Sequence, residues 1–229
     1  MIKSAILINS LIVVHMYILR LTYIMIFLIS PGLVATAKDN LPEPVTWSEN
    51  LRELLYDDDE IILNGSDLFS LQTPYRALDA AMVPITVNFK QNQEIERFVK
   101  SLVLIVDENP SPVVSKFKFN TKTGNASLTT RIRVDKYTYV RAVAEMNDNK
   151  KYMVANFVKA AGGCSAPSLA DMDSVMARLG RMKMKFIETG EKNSLNKAEF
   201  LISHPNFSGL QFNQLTRSEI PAHFVNSVV

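Results

Sequence analysis

The hydrophobic rhythm of the chain changes several times along its length. Residues 1–34 are nearly all apolar, interrupted by Lys3, His15 and Arg20. Trp47, Leu51, Leu54 and Leu55 then fall at helical spacing, with Ser48 as the expected N-cap. The acidic run from Asp57 to Glu60 is expected to end that helix as a solvated stretch; it lacks the glycine turn of a calcium loop. From Ile61 onward the period becomes two. Residues 81–89, "AMVPITVNF", alternate Val83, Ile85, Val87 and Phe89 with other neighbours. "FVKSLVLIVDENPSP" reads as a strand through Val106 and a loop from Glu108 to Pro112. Phe117 and Phe119 share one face, Lys116 and Lys118 the other. Thr123-Gly124-Asn125 separates this run from the next, which carries Leu128, Ile132 and Val134, and "TYVRAVAEMNDNKKYMVANFVKAA" reads as strand, turn and strand. Short strands with regularly spaced turn signals predict an antiparallel sandwich. Pro84 predicts an edge strand or a bulge, because proline has no N–H to give a sheet.

Beyond Pro167 the period is helical again. Leu169, Met172, Val175, Met176 and Leu179 form a stripe, Ser168 and Asp171 look like a capping box, and Gly180 is a natural stop. The methionines of that stripe are expected in a core rather than on a cofactor. "RMKMKFIE", "KAEFLISHP" and "IPAHFVNSVV" then read as opening strands of a second sandwich, which residues 181–229 are too few to complete. The expected organisation is a signal peptide over 1–37, a helical lead-in over 38–60, a sandwich over 61–167, a linker helix over 168–180, and a partial second β domain over 181–229. A fragment or a shortened product would account for the last.

Composition alters this picture little. The 229 residues are 47% hydrophobic and 21% charged, with a net charge of +2. That suits a cored globular protein and gives no strong attraction to nucleic acid. The apolar N-terminus matters more. "LTYIMIFLIS", residues 21–30, follows Arg20 and leads to Ala35-Thr36-Ala37, a small-x-small cleavage site that would leave Lys38 first. An uncleaved anchor is the alternative, and Met16 or Met25 could serve as the start. Export, with no stable membrane span after cleavage, is the expectation. Exported proteins meet oxidising surroundings, where a single cysteine is buried, paired with another molecule, or reactive.

That cysteine is Cys164, in "KAAGGCSAP", residues 159–167. Gly162 and Gly163 remove side-chain bulk and widen the accessible backbone angles, so the thiol could stand on a mobile arm. They could equally end a strand over a buried cysteine. No nucleophile elbow, phosphate loop, dinucleotide fingerprint or H-E-x-x-H motif is present. His204 and His223 show no metal-ligand spacing with Cys164 and are read as structural. No metal and no cofactor is expected, and the chain is read as a non-enzyme.

Several stretches resemble the sulfur-carrier subunit SoxY: "VPITV" at 83–87, "LVLIVDENPSPVVSKFKF" at 102–119, "TRIRV" at 130–134, "YTYVRAVAE" at 137–145 and "KAAGGCS" at 159–165. "HPNFSG" at 204–209 and "IPAHFV" at 220–225 resemble its partner SoxZ. Both in one chain resembles the fused carriers associated with quinoprotein dehydrogenases. The resemblance implies a mostly β fold, an immunoglobulin-like antiparallel β-sandwich followed by a partial second one, in the periplasm. It implies that Cys164 is the covalent attachment point and that Gly162 and Gly163 form the carrier arm. The implied partners are periplasmic enzymes of sulfur oxidation or a quinoprotein dehydrogenase system. The family motif is a free C-terminal "GGCGG"; here the cysteine is internal and Ser165-Ala166-Pro167 follows it. Docking of a dehydrogenase or cytochrome by a non-catalytic adaptor is the alternative function.

Overall fold

The computed structural model describes residues 41–166, 172–188, 190, 194–213 and 216–229. The expected signal peptide, together with Ser168, Leu169 and Asp171, lies outside them. A π-helical turn at Trp47–Leu51 runs into α1 (Arg52–Leu55). Eight strands follow: β1 (Ile62–Asn64), β2 (Phe69–Gln72), β3 (Val83–Phe89), β4 (Val99–Val106), β5 (Val113–Lys118), β6 (Leu128–Ile132), β7 (Thr138–Met146) and β8 (Lys151–Val158). They form a five-stranded sheet in the order β1-β8-β7-β4-β5 and a three-stranded sheet in the order β2-β3-β6. All pairings among them are antiparallel except β1 with β8.

Alternation decides what each sheet hides. In β3, Val83, Ile85, Val87 and Phe89 are buried and meet Leu102, Leu104, Val140 and Ala142 from the larger sheet in one core. Each large aliphatic side chain so buried contributes roughly 1.5–3 kcal/mol. In β4 the strict period fails because the register shifts between Val99 and Ser101. That bulge inserts one residue, so Val99 and Leu102 both reach the core. Phe117 and Phe119 pack at its margin, as their shared face predicts, with rings stacked 6.4 Å apart.

The outer face of the larger sheet is covered as well. Trp47 and Leu51 pack over Ile105 and Val143. Beneath Trp47 lies a buried ion pair: Arg141 donates to both Asp107 carboxylate oxygens, from Nε at 2.8 Å and Nη2 at 2.7 Å. The guanidinium lies 4.4 Å from the Trp47 ring. Cover on both faces is why β7 is buried at successive positions from Val140 to Ala144 rather than at alternate ones.

Several expectations need correction. Pro84 is not on an edge strand, since β3 lies between β2 and β6. It is tolerated because β2 ends opposite Thr86, so at Pro84 the strand has a partner on one side only. Ser48 does not cap the first helix; its hydroxyl donates back to the carbonyls of Pro44 and Val45. Leu54 is 75% exposed, because Trp47, Leu51 and Leu55 take the inward positions. Met176, on α2 (Met172–Met176), is exposed rather than in a core.

Among its described residues, the C-terminal segment holds two short antiparallel ribbons. β9 (Met182–Glu188) and β10 (Lys197–Ile202) form one antiparallel ribbon, β11 (Phe212–Asn213) and β12 (Ser218–Glu219) another. The expected last strand over "IPAHFVNSVV" is a single bridge, His223 to Phe207. Register places Met182, Met184 and Phe186 on the same ribbon face as Ala198, Phe200 and Ile202. The two methionines and the two phenylalanines of that face are exposed. Among the described residues, no helix is long and apolar enough to cross a membrane.

Candidate functional site

The Gly-Gly-Cys loop follows β8, and the core decides where it goes. Lys159 makes a parallel bridge with Arg76, and Ala160 is buried in the main core. The loop then runs along residues 133–135, just beyond β6. The Gly162 N–H donates to the Asp135 carbonyl at 2.7 Å, and the Gly163 N–H donates to the Val134 carbonyl at 3.0 Å. Arg133 Nη1 donates to the Gly163 carbonyl at 2.7 Å. Residues 133–135 are themselves fixed by Asn109, whose Nδ2 donates to the Arg133 carbonyl and whose Oδ1 accepts the Asp135 N–H, both at 2.9 Å. Asn109 is buried, and its side chain joins the 107–112 loop to the segment along which the cysteine loop runs.

The two glycines serve different ends. Gly162 has φ +77°, a left-handed angle costly for other residues, with open space where a side chain would start. Gly163 has no such angle, but a Cβ there would collide with the carbonyls of Ala80 and Val134. Close backbone approach explains the second glycine, and chain reversal the first.

Cys164 is a free thiol and 7% exposed. The expectation of a sulfur standing clear on a mobile arm is therefore corrected: the loop is pinned by backbone bonds and the thiol is covered. Burial pushes its pKa up, and the Asp135 carboxylate adds to the rise, while Arg133 opposes it. In this arrangement the thiol is protonated at neutral pH and a poor nucleophile. Lys159 supplies no activation; its ammonium lies 4.6 Å from the Tyr75 ring centre.

The C-terminal segment reaches the backbone of Cys164. Ser208 Oγ makes a short hydrogen bond to the Cys164 carbonyl. Ser208 N–H donates to Gln211 Oε1 at 2.9 Å, and Gln211 is 1% exposed. Ser208 lies in the SoxZ-like stretch at 204–209, but nothing in the sequence linked it or Gln211 to Cys164. His204 and His223 stack edge to face at 4.7 Å, and both form part of the fold around Phe207. The charges that bear on the thiol are Asp135 and Arg133 rather than either histidine. Among the described residues, no cluster of three or more His, Cys, Asp or Glu side chains is placed to hold a metal. A cleft of about 360 Å³ between α1 and the outer sheet face is lined by charged residues including Glu53, Glu60, Lys116 and Glu145, and not by Cys164.

The family model for sulfur oxidation protein SoxY matches residues 52–164, so that the match ends on the cysteine itself. The model for sulphur oxidation protein SoxZ matches residues 184–229. The two stand in tandem over most of the chain, which belongs to the SoxY/SoxZ sulfur-carrier family. Among solved structures, the sulfur carrier protein SoxY from Chlorobium limicola f thiosulfatophilum is similar at 22% identity, covering 44% of this chain and 81% of that one with a TM-score of 0.37. A superoxide reductase (neelaredoxin) variant from Ignicoccus hospitalis aligns at 11% identity over 42% and 82% of the two chains, with a TM-score of 0.36. A putative superoxide reductase from Thermotoga maritima aligns at 11% identity over 45% and 95%, with a TM-score of 0.37. No curated protein matches the chain.

Proposed function

We propose that this chain is an exported, periplasmic carrier that holds a sulfur-containing group covalently on Cys164. One observation carries the reading. The single thiol of the chain lies where the SoxY match ends, on a glycine pair built into the fold. The chemistry requires only a thiolate and a sulfur electrophile. The Cys164 thiolate attacks a terminal sulfur of polysulfide, a shorter polysulfide leaves, and the protein retains a persulfide. With thiosulfate the bond to Cys164 forms only if two electrons leave to an acceptor, a role for a partner enzyme. The carrier itself stores and presents the group and is not the catalyst. Sulfur-oxidation enzymes are the partners this reading names, with a quinoprotein dehydrogenase system as the finer variant.

The test is intact-protein mass spectrometry of the mature chain after exposure to polysulfide, and to thiosulfate with ferricyanide as electron acceptor. A sulfur or thiosulfate adduct mapped to Cys164, lost on reduction and missing in Cys164→Ser, is the expected result. Unmodified protein under both conditions refutes the carrier reading.

The exposed apolar face of the β9–β10 ribbon favours a second reading, a docking adaptor that needs no thiol. The Cys164→Ser variant separates the two, because an adaptor keeps its binding to a partner dehydrogenase or cytochrome and a carrier loses turnover.

A further inference from the structure

A carrier must offer its thiol, yet Cys164 is buried and its carbonyl is bound by a serine from a segment far away in the chain. We propose that Ser208 and Gln211 are positioning residues that latch the Cys164 loop shut, and that loading and unloading occur only after this latch releases. The inference rests on the carrier reading above.

The latch is a compact turn. Phe207 and His223 exchange backbone hydrogen bonds at 2.7 and 3.0 Å, which fixes the start of the turn. Gly209, at φ +87°, reverses the chain, and the Ile220 N–H donates to the Gln211 carbonyl at 2.8 Å, which fixes its end. Ser208 stands between these anchors, and its hydroxyl donates to the Cys164 carbonyl. That bond joins the SoxZ-matched segment to the SoxY-matched one at the cysteine.

Gln211 shows that the closed arrangement is poised rather than permanent. Its Oε1 accepts the Ser208 N–H, a group that can only donate, so the orientation of the amide is settled. The Nε2 on the other side of that amide is buried and has no hydrogen-bond partner. Ser208 Oγ also lies 3.0 Å from Gln211 Oε1, but its single hydrogen serves one acceptor at a time. A buried donor without a partner disfavours the closed state, and opening hands it to water or to an oxyanion on an arriving sulfur group. On the C-terminal side the latch therefore holds the Cys164 carbonyl by one hydroxyl bond against a built-in tendency to open.

The experiment is alkylation of Cys164 with iodoacetamide in the full mature chain at about pH 8, where thiolate is available. The native protein is expected to react at least about tenfold more slowly than the same chain unfolded in urea. Its rate should be nearly flat at urea concentrations below the unfolding transition, the mark of a local opening. Ser208→Ala is expected to react about fivefold to tenfold faster, the effect of one hydrogen bond. Ser208→Thr, which keeps the hydroxyl, should return to the native rate. Two results overturn the latch: a Ser208→Ala rate equal to the native one, or a native rate that follows global unfolding throughout the urea series. The urea series needs no variant, so the question is decided even if a substitution prevents folding. Alkylation needs no sulfur cargo, so the latch and the carrier chemistry fail independently.

Discussion

Replacing Gly163 by alanine asks whether the cysteine loop is held by backbone contact. The added Cβ would meet two carbonyls, those of Ala80 and Val134, neither of which can rotate away. The Ala80 carbonyl accepts the Val134 N–H at 2.9 Å, so moving it breaks a further bond. The loop has to leave instead. Leaving gives up the Gly162 and Gly163 N–H bonds and the Arg133 bond to the Gly163 carbonyl. At about 1 kcal/mol for each neutral bond and about 2 kcal/mol for the charged one, local detachment becomes easier by up to ~4 kcal/mol. Gly162→Ala is the internal control. It meets no atom, and its left-handed angle costs only about 1–2 kcal/mol. Alkylation of Cys164 should therefore accelerate far more in Gly163→Ala than in Gly162→Ala, by a hundredfold or more against about tenfold. The melting temperature should move little in both, because the strands of the main core are untouched. Equal rates in Gly163→Ala and the native protein, or the reverse order of the two glycines, would refute the reasoning.

Other expectations follow from the same contacts. The pH at which Cys164 alkylation reaches half its maximal rate should lie above that of an ordinary thiol, and Asp135→Asn should lower it, as a stopped-flow pH series will show. Because folding raises this pKa, the thiol's stability term is complete below the unfolded value, near 8.5, and is lost as pH rises through the folded one. Arg141→Met should cost roughly 3–5 kcal/mol in urea unfolding, since it strands the Asp107 carboxylate inside the fold. Asn109→Ala should destabilise the protein by about 1–3 kcal/mol and speed alkylation, because it frees the Arg133 carbonyl and the Asp135 N–H beneath the loop. The His204 pKa is lowered by burial and by the neighbouring His223 ring. Its stability term is thus present above the unfolded histidine pKa and lost as pH falls through the folded one. Amide exchange around Phe207 should quicken on acidification, and His204→Phe should blunt that response.

Local pattern carried much of this fold. The alternation of Val83, Ile85, Val87 and Phe89, and the opposed faces of Phe117 and Lys116, depend only on the two-residue repeat of an extended chain. The end of the first helix before Asp57 and the turn at Asp148 and Asn149 were likewise readable, since each is decided by residues adjacent in sequence. The glycines beside Cys164 marked a tight place in the backbone. Tertiary structure alone decided the fate of that place. Residue 208 returns to the backbone of the buried Cys164, and nothing within the loop encodes that meeting. The separate tasks of Gly162 and Gly163 depend on which backbone passes beside them. Pro84 sits in a central strand because its neighbour ends early, and Met176 is exposed although its place on the helical stripe pointed inward. Contacts between distant residues reflect the packing of the whole chain, and a repeat of two or four positions has no memory that long.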